Sequence, residues 1–257
     1  MTNPENDVRR TSTARKMLIA FLILAFAGPL LVACSGKVKF FNDWRTADRS
    51  SAGLAPDAKT VREAVVQVYA ARAFDWRGAF AVHTWIATKR TGADHYTVHH
   101  VLGWLRFDGL PVVLSENDLP DRNWYGQSPQ VLRELRGPAA ETAIDGIERA
   151  VADYPWPGEY RLWPGPNSNT FTAWVGRRVP ALRLDLPPTA IGKDYTGSRI
   201  LSPAPSGTGW QISLLGLAGI TLAREEGLEL QFLGVAVGLN PLDLELRLPG
   251  LGLVGPA

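Results

Sequence analysis

Arg161-Leu162-Trp163-Pro164-Gly165-Pro166-Asn167-Ser168-Asn169-Thr170-Phe171 decides how the chain is read. Its Pro/Gly half ends whatever element precedes it, and small polar residues follow. Beyond them Phe171, Trp174, Val175 and Val179 recur at helical spacing. Asn167, Ser168 and Asn169 suit the first turn of a helix, where a side-chain oxygen satisfies an orphan amide. A nucleophile at such a point faces free N–H groups and the positive end of the helix dipole. Both stabilise a developing oxyanion.

Upstream, Val65-Val66-Gln67-Val68-Tyr69 has the composition of a buried strand. Phe80 to Thr88 and His95 to Trp104 flank a loop with Gly92 and read as a β-hairpin. All four histidines, His83, His95, His99 and His100, lie on it. If Thr88 pairs with His95, counting sets His83 opposite His100 on one face; a slip of one residue substitutes His99. The functional reading makes His83 an imidazole base with a second imidazole to orient it. The plain reading is a core histidine bonded to backbone. His95 and His99 fall on the other strand face from His100, and no His-Glu-x-x-His helix exists, so no metal site is expected. No cofactor is implied.

Between hairpin and motif, Asp108 to Asn123 is a polar loop region with a short apolar piece at Val112-Val113-Leu114. Ser128-Pro129 predicts a short helix with Val131, Leu132 and Leu135 as its stripe, stopped by Gly137. Pro138 opens a clearer helix through Tyr154, with Ile144, Ile147, Val151 and Tyr154 on one face. Glu141, Asp145 and Glu148 form a solvated stripe on its other side.

After the motif, Val179 to Leu186 alternates like a short strand until Pro187-Pro188, and Lys193-Asp194-Tyr195 reads as a loop ion pair, with facing the site as the alternative. Ser206-Gly207-Thr208-Gly209 lacks a following Gly-Lys-Ser/Thr and is a turn, not a phosphate cradle. From Trp210 the pattern is β: Gln211 to Leu215, Ile220 to Ala223, and Leu228 to Phe232 after a turn at Glu226-Gly227. Leu242, Leu244, Leu246 and Leu248 alternate with Asp243, Glu245 and Arg247, the period of a strand with one wet face. Leu233 to Leu239 is apolar but too short to span a bilayer. This region could extend the sheet, rest on a membrane or meet a partner.

At the other end of the chain, Arg9, Arg10, Arg15 and Lys16 precede an apolar run from Met17 to Ala33. That is the layout of a secretory signal or signal anchor, with the body exported. Leu31-Val32-Ala33-Cys34 resembles the lipobox of bacterial lipoproteins, which implies lipidation at Cys34; an uncleaved anchor ending in cysteine is the other reading. Cys34 is the only cysteine, so no intrachain disulfide can form. The 257 residues carry a net charge of +2 and no Lys/Arg block in the body, which argues against a nucleic-acid partner. With 46% hydrophobic and 20% charged residues the chain has a folded composition.

A histidine on an early strand, another on the paired strand and Asn167-Ser168-x-x-Phe171 at a helix start resemble the permuted papain-like group. That group includes relatives of lecithin:retinol acyltransferase and NlpC-type cell-wall hydrolases, in which the motif reads Asn-Cys. From about Val61 onward the chain also resembles an uncharacterised bacterial family, domain of unknown function 3750. The runs Gly165 to Phe171 and Pro187-Pro188-Thr189-Ala190-Ile191-Gly192-Lys193-Asp194-Tyr195 carry that second resemblance. Serine replaces the thiol of the papain-like motif, and a hydroxyl needs a base during attack.

Together these readings predict an α+β fold, an antiparallel sheet packed with helices in a permuted papain-like core. The expected divisions are a signal or anchor over 1–36, a tether over 37–60, the core over 61–195 and a β-rich extension over 196–257. The body would sit on the periplasmic side of a bacterial membrane. In the enzymatic reading Ser168 attacks an amide or ester, His83 takes its proton and His100 orients His83. Asn167, Asn169, Trp163, Trp85 and Tyr125 would line a pocket for a small-molecule, peptide or lipid ligand. In the alternative the module has lost the thiol and only binds or scaffolds.

Overall fold

The computed structural model describes residues 4–256, with side chains from Thr13 onward except that of Ala14. Arg9 and Arg10, counted above in the basic flank, lie outside the described side chains. The chain opens with α1 (Pro4–Cys34), whose Arg15–Cys34 stretch is long and apolar enough to cross a membrane. One stripe of α1 faces the body: Phe21 meets Phe232 edge-on at 5.5 Å, and Ala25 and Val32 are buried.

The first sheet contains β1 (Val65–Arg72), β2 (Val82–Lys89), β3 (Thr97–Val101), β4 (Val113–Asn117) and β5 (Gln130–Arg136). All pairs are antiparallel, in the order β4-β3-β2-β1-β5. Two helices, α2 (Gly137–Ala152) and α3 (Ser168–Arg178), cover one face of it. Val66, Val68, Val82 and Ile86 pack there against Ile144 and Ile147 of α2 and Phe171 and Val175 of α3. The opposite face buries Val65, Tyr69, Trp85, Ala87 and Val98 as a second cluster. The class is α+β, as the sequence predicts. Residues 37–60 are laid against this body: Asp121 accepts from the Leu54 and Ala55 amides, and Ser51 bridges to Arg122.

Several expectations are corrected. The short helix expected from Ser128 is the strand β5, paired with β1. A register shift between Val68 and Tyr69 leaves Leu132 as an extra residue, so Leu132 and Leu135 reach the same core cluster. A bulge thus imitates the i, i+3 spacing of a helix. The hairpin pairs Thr88 with Thr97 and Ile86 with His99, two residues beyond simple counting. An even slip preserves facing, so His83 and His100 still share a side. The stretch Val179 to Leu186 buries Leu182, Leu184 and Leu186 but pairs with no strand among the described residues; it begins as a short 3-10 turn. The acidic stripe of α2 is not merely solvated, because Arg90 contacts Glu141, Asp145 and Glu148 at 2.7–3.0 Å.

The second sheet is a seven-stranded antiparallel meander: β6 (Leu201–Pro203), β7 (Gly209–Leu214), β8 (Ala218–Ala223), β9 (Gly227–Phe232), β10 (Val235–Asn240), β11 (Glu245–Leu248) and β12 (Gly252–Val254). Its faces are reversed relative to a water-soluble sheet. Register aligns Pro203, Trp210, Leu222, Leu228, Leu239, Leu246 and Val254 in one row on the outer face. The inner face carries Gln211, Thr221, Glu229 and Arg247. Leu222 is 68% exposed whereas Arg247 is 0% exposed, so the strand part of the expected wet face turns inward. Leu242, Asp243 and Leu244 lie not in the strand but in the exposed turn before it.

That inner face is satisfied by the segment following α3. Arg247 holds Asp185 through two bonds of 2.6 and 2.8 Å and donates to Glu229 at 2.9 Å. Lys193, fully buried, is ion-paired with Glu229 and Asp194. Burial pushes the Glu229 carboxyl upward, but the two cations outweigh it and hold it below the usual carboxylate value.

Candidate functional site

At the start of α3 the cap is Asn167, not Ser168. The Asn167 side chain accepts from the amides of Asn169 and Thr170 at 2.9 and 3.1 Å, and Thr170 Oγ1 accepts from the Asn167 amide at 3.1 Å. This capping box satisfies orphan donors reciprocally. Asn167 Nδ2 also donates to the carbonyls of Leu162 and Ile191. Gly192, at φ +101°, lies so close beneath Asn167 that a Cβ there would collide with it. The motif therefore staples the helix start to the loop that leads toward the meander.

Ser168 takes part through its carbonyl, which lies 3.1 Å from Thr172 Oγ1. Thr84 of β2 projects toward it, with its hydroxyl 3.0 Å from Asn169 Oδ1 and 2.9 Å from Thr172 Oγ1. Asn169 Nδ2 donates to Val82 O and Ile191 O. Strand alternation puts Val82, Thr84 and Ile86 on the helix-covered face and His83, Trp85 and Ala87 on the other. Ser168 and His83 thus lie on opposite sides of the sheet and are not brought together.

His83 and His100 are brought together, with ring centroids 6.2 Å apart. Trp124 lies flat on His83 at 3.7 Å, and Trp104 stacks on Trp124 at 6.0 Å. Tyr125 stands perpendicular to both tryptophans, and the Arg49 guanidinium sits 4.5 Å over its ring. These groups, with Arg122, Asp118, Glu116 and His100, line a cleft of about 110 Å³. The Nε2 atoms of both His83 and His100 are buried without a hydrogen-bond partner. Burial pushes His83 well below the ordinary histidine value, with His100 adding to the shift. Burial likewise lowers His100, to about 4. Both rings are therefore neutral at pH 7, each with one donor and one acceptor nitrogen.

Of the expected pocket residues, Tyr125 lines the cleft. Trp85 lies buried beside it, donating to Pro120 O at 2.7 Å. Asn167 and Asn169 belong to the staple on the other face, and Trp163 is half-exposed next to Gly234. His99 faces the helices and bonds Thr88 and Ser115, while His95 pairs with Asp94 at the surface. Cys34 is exposed at the end of α1. Among the described residues no three His, Cys, Asp or Glu side chains converge as a metal ion requires. Trp104, Trp124, Arg49 and Arg122 escaped the sequence reading; the available signal was the aromatic pair Trp124-Tyr125 beside Arg122-Asn123.

Residues 63–195 match the model of a family described as a protein of unknown function, DUF3750. The chain belongs to that family. The DUF3750 match runs from just before β1 through the Lys193-Asp194 loop, so it contains His100 of the cleft, His83 behind it and the capped start of α3. The meander lies beyond it. No curated protein and no solved structure matches the chain.

Proposed function

We propose that this DUF3750 protein is a membrane-anchored binding module of the bacterial cell envelope, with its body on the periplasmic side. Its ligand would be held in the cleft lined by His100 and Trp124. One observation carries the reading: His100, whose buried Nε2 has no partner, lines an aromatic-walled cleft, with the second unpartnered imidazole, His83, packed behind Trp124. An unsatisfied buried polar atom costs about 1–3 kcal/mol, a cost that a bound polar group removes. Arg49 and Arg122 are balanced by Glu116 and Asp118 in the lining, between the rings of Trp104, Trp124 and Tyr125. This suits a ligand that carries both signs and an apolar part, as a short peptide does. Cell-wall stem peptides have that chemistry and lie within reach of an exported body.

In this reading the core is a permuted papain-like layout that has lost its chemistry. Hydroxyl and amide groups of Thr84, Asn169 and Thr172 occupy the helix–strand contact, where a hydrolase needs a nucleophile and base. The acyl-transfer reading through Ser168 and His83 has no such support. The anchor is α1, retained because its Phe21 stripe packs against the body. Lipidation at Cys34 is the competing form, and the mass of the mature protein separates the two.

The test is titration of the full chain with a cell-wall stem tetrapeptide, followed by tryptophan fluorescence. The expected result is a saturable change that is lost in Trp104→Ala and His100→Ala. No change in the wild-type protein, or labelling by a fluorophosphonate that Ser168→Ala abolishes, would overturn the reading.

A further inference from the structure

The outer face of the meander exposes aligned rows of large apolar side chains. Six gaps of about 4.8 Å and strands averaging about 16 Å give it an area on the order of 450 Å². A patch of this size is at the large end for a water-soluble monomer, where such patches are often functional. The face is built, not incidental: Ile212, Ile220, Leu230 and Val237 form a second aligned row beside the first, and the polar residues of the same strands all turn inward.

The two ends of the meander differ as well. The turns at 215–217, 233–234 and 249–251 contain only leucine, glycine and proline. The opposite turns contain exposed Arg224 and Asp243 and the Arg183-paired Glu225, with Glu226 buried and Leu242 and Leu244 exposed beside Asp243. The apolar end is the one that meets α1, through Phe21 on Phe232 and through Gly28 and Pro29 against Pro249 and Gly250. Leu22, Leu30 and Leu31 of α1 stay exposed next to this contact. The helix and the sheet therefore form one continuous apolar surface.

We propose that this face of the meander lies in a lipid bilayer surface, beside α1 and with its apolar turns deepest. The inference rests on the anchored reading of α1 and goes beyond it. No strand is long enough to cross a bilayer, and the unpaired edges at β6 and β12 cannot enter hydrocarbon. The sheet therefore rests at the boundary of headgroups and acyl chains, as amphipathic surfaces do. Helix α1, whose Phe21 and Gly28-Pro29 follow the row of apolar turns, lies along that boundary beside it rather than across the bilayer. A second copy of the chain is the rival occupant; continuity with an apolar helix favours lipid.

Single nitroxide labels on the full-length protein, in a Cys34→Ser background, test this. Leu22→Cys reports the helix, Leu222→Cys and Leu230→Cys the sheet, and Arg224→Cys the charged end. The protein is placed in vesicles of phosphatidylethanolamine and phosphatidylglycerol. The expected result is loss of collisions with a water-soluble nickel complex, with oxygen collisions retained, at positions 22, 222 and 230 but not 224. Position 22 in lipid with 222 and 230 in water would overturn the inference and leave the anchor standing. All four in water would overturn both. Spin–spin broadening between copies at 222 and 230 would assign the face to a second chain and overturn it too.

Discussion

Trp124 covers His83 ring on ring, 3.7 Å between centroids and 11° from parallel. The indole thereby keeps one imidazole nitrogen dry while the neighbouring His100 borders the open cleft. Trp124→Ala should expose His83 to water and return its titration toward the ordinary histidine range. The lost stacking and burial should lower stability by about 3 kcal/mol. NMR titration of the ring and urea unfolding measure the two effects. A His83 titration that does not move would mean that the indole is not what keeps it neutral.

Burial of the histidines makes stability depend on acidity in a defined window. His99 and His100 are held down to about 4 in the folded chain, chiefly by desolvation. In the unfolded chain they protonate near 6.5. Between those values the unfolded state binds more protons, so the stabilisation present above pH 6.5 fades as pH falls toward 4 and then levels off. Each histidine contributes a slope of up to about 1.4 kcal/mol per pH unit. Denaturant midpoints of the wild type and of His99→Gln and His100→Gln should show a flatter profile in each variant.

The start of α3 separates capping from catalysis. Asn167→Ala removes the cap and the bonds to Leu162 and Ile191, so it should cost at least about 2 kcal/mol. Ser168→Ala should stay within roughly 1 kcal/mol, since its hydrogen bonds run through the main chain. Thermal unfolding of the pair decides this. A larger loss in Ser168→Ala than in Asn167→Ala would contradict the assignment.

Glu229 stands between Lys193 and Arg247 with all three side chains nearly or fully buried. Glu229→Gln leaves two buried cations under-compensated and should cost about 3–5 kcal/mol. Replacing Lys193 and Arg247 as well with Met should not recover that loss, because the carboxylates of Asp185 and Asp194 would then be left without their cations. Urea unfolding of the single and triple variants measures the difference.

Much of the first sheet was legible because periodicity is local. The 3.6-residue recurrence of Ile144 and Ile147, and of Phe171 and Val175, located α2 and α3 correctly, and those residues do form the core. β5 was not legible, since the bulge at Leu132 gives a strand the spacing of a helix. The face shared by His83 and His100 was readable because a slip of two residues leaves parity intact. The cleft was not, because Arg49, His100, Trp104 and Tyr125 come from segments that no sequence spacing connects. The meander shows a further limit. Alternation of Leu246 with Arg247 identifies a strand, but only Asp185 and Glu229, both distant in sequence, reveal that the arginine faces inward.

That inward arginine also gives the two sheets different calorimetric signatures. Parting the meander from the body wets carboxylates, amides and guanidinium groups, whose hydration lowers heat capacity. Melting the helix-covered sheet wets Ile144, Phe171 and their neighbours, whose hydration raises it. Scanning calorimetry should accordingly register little or no upward baseline step when the leucine-faced layer comes loose, and a large one when the helical layer melts.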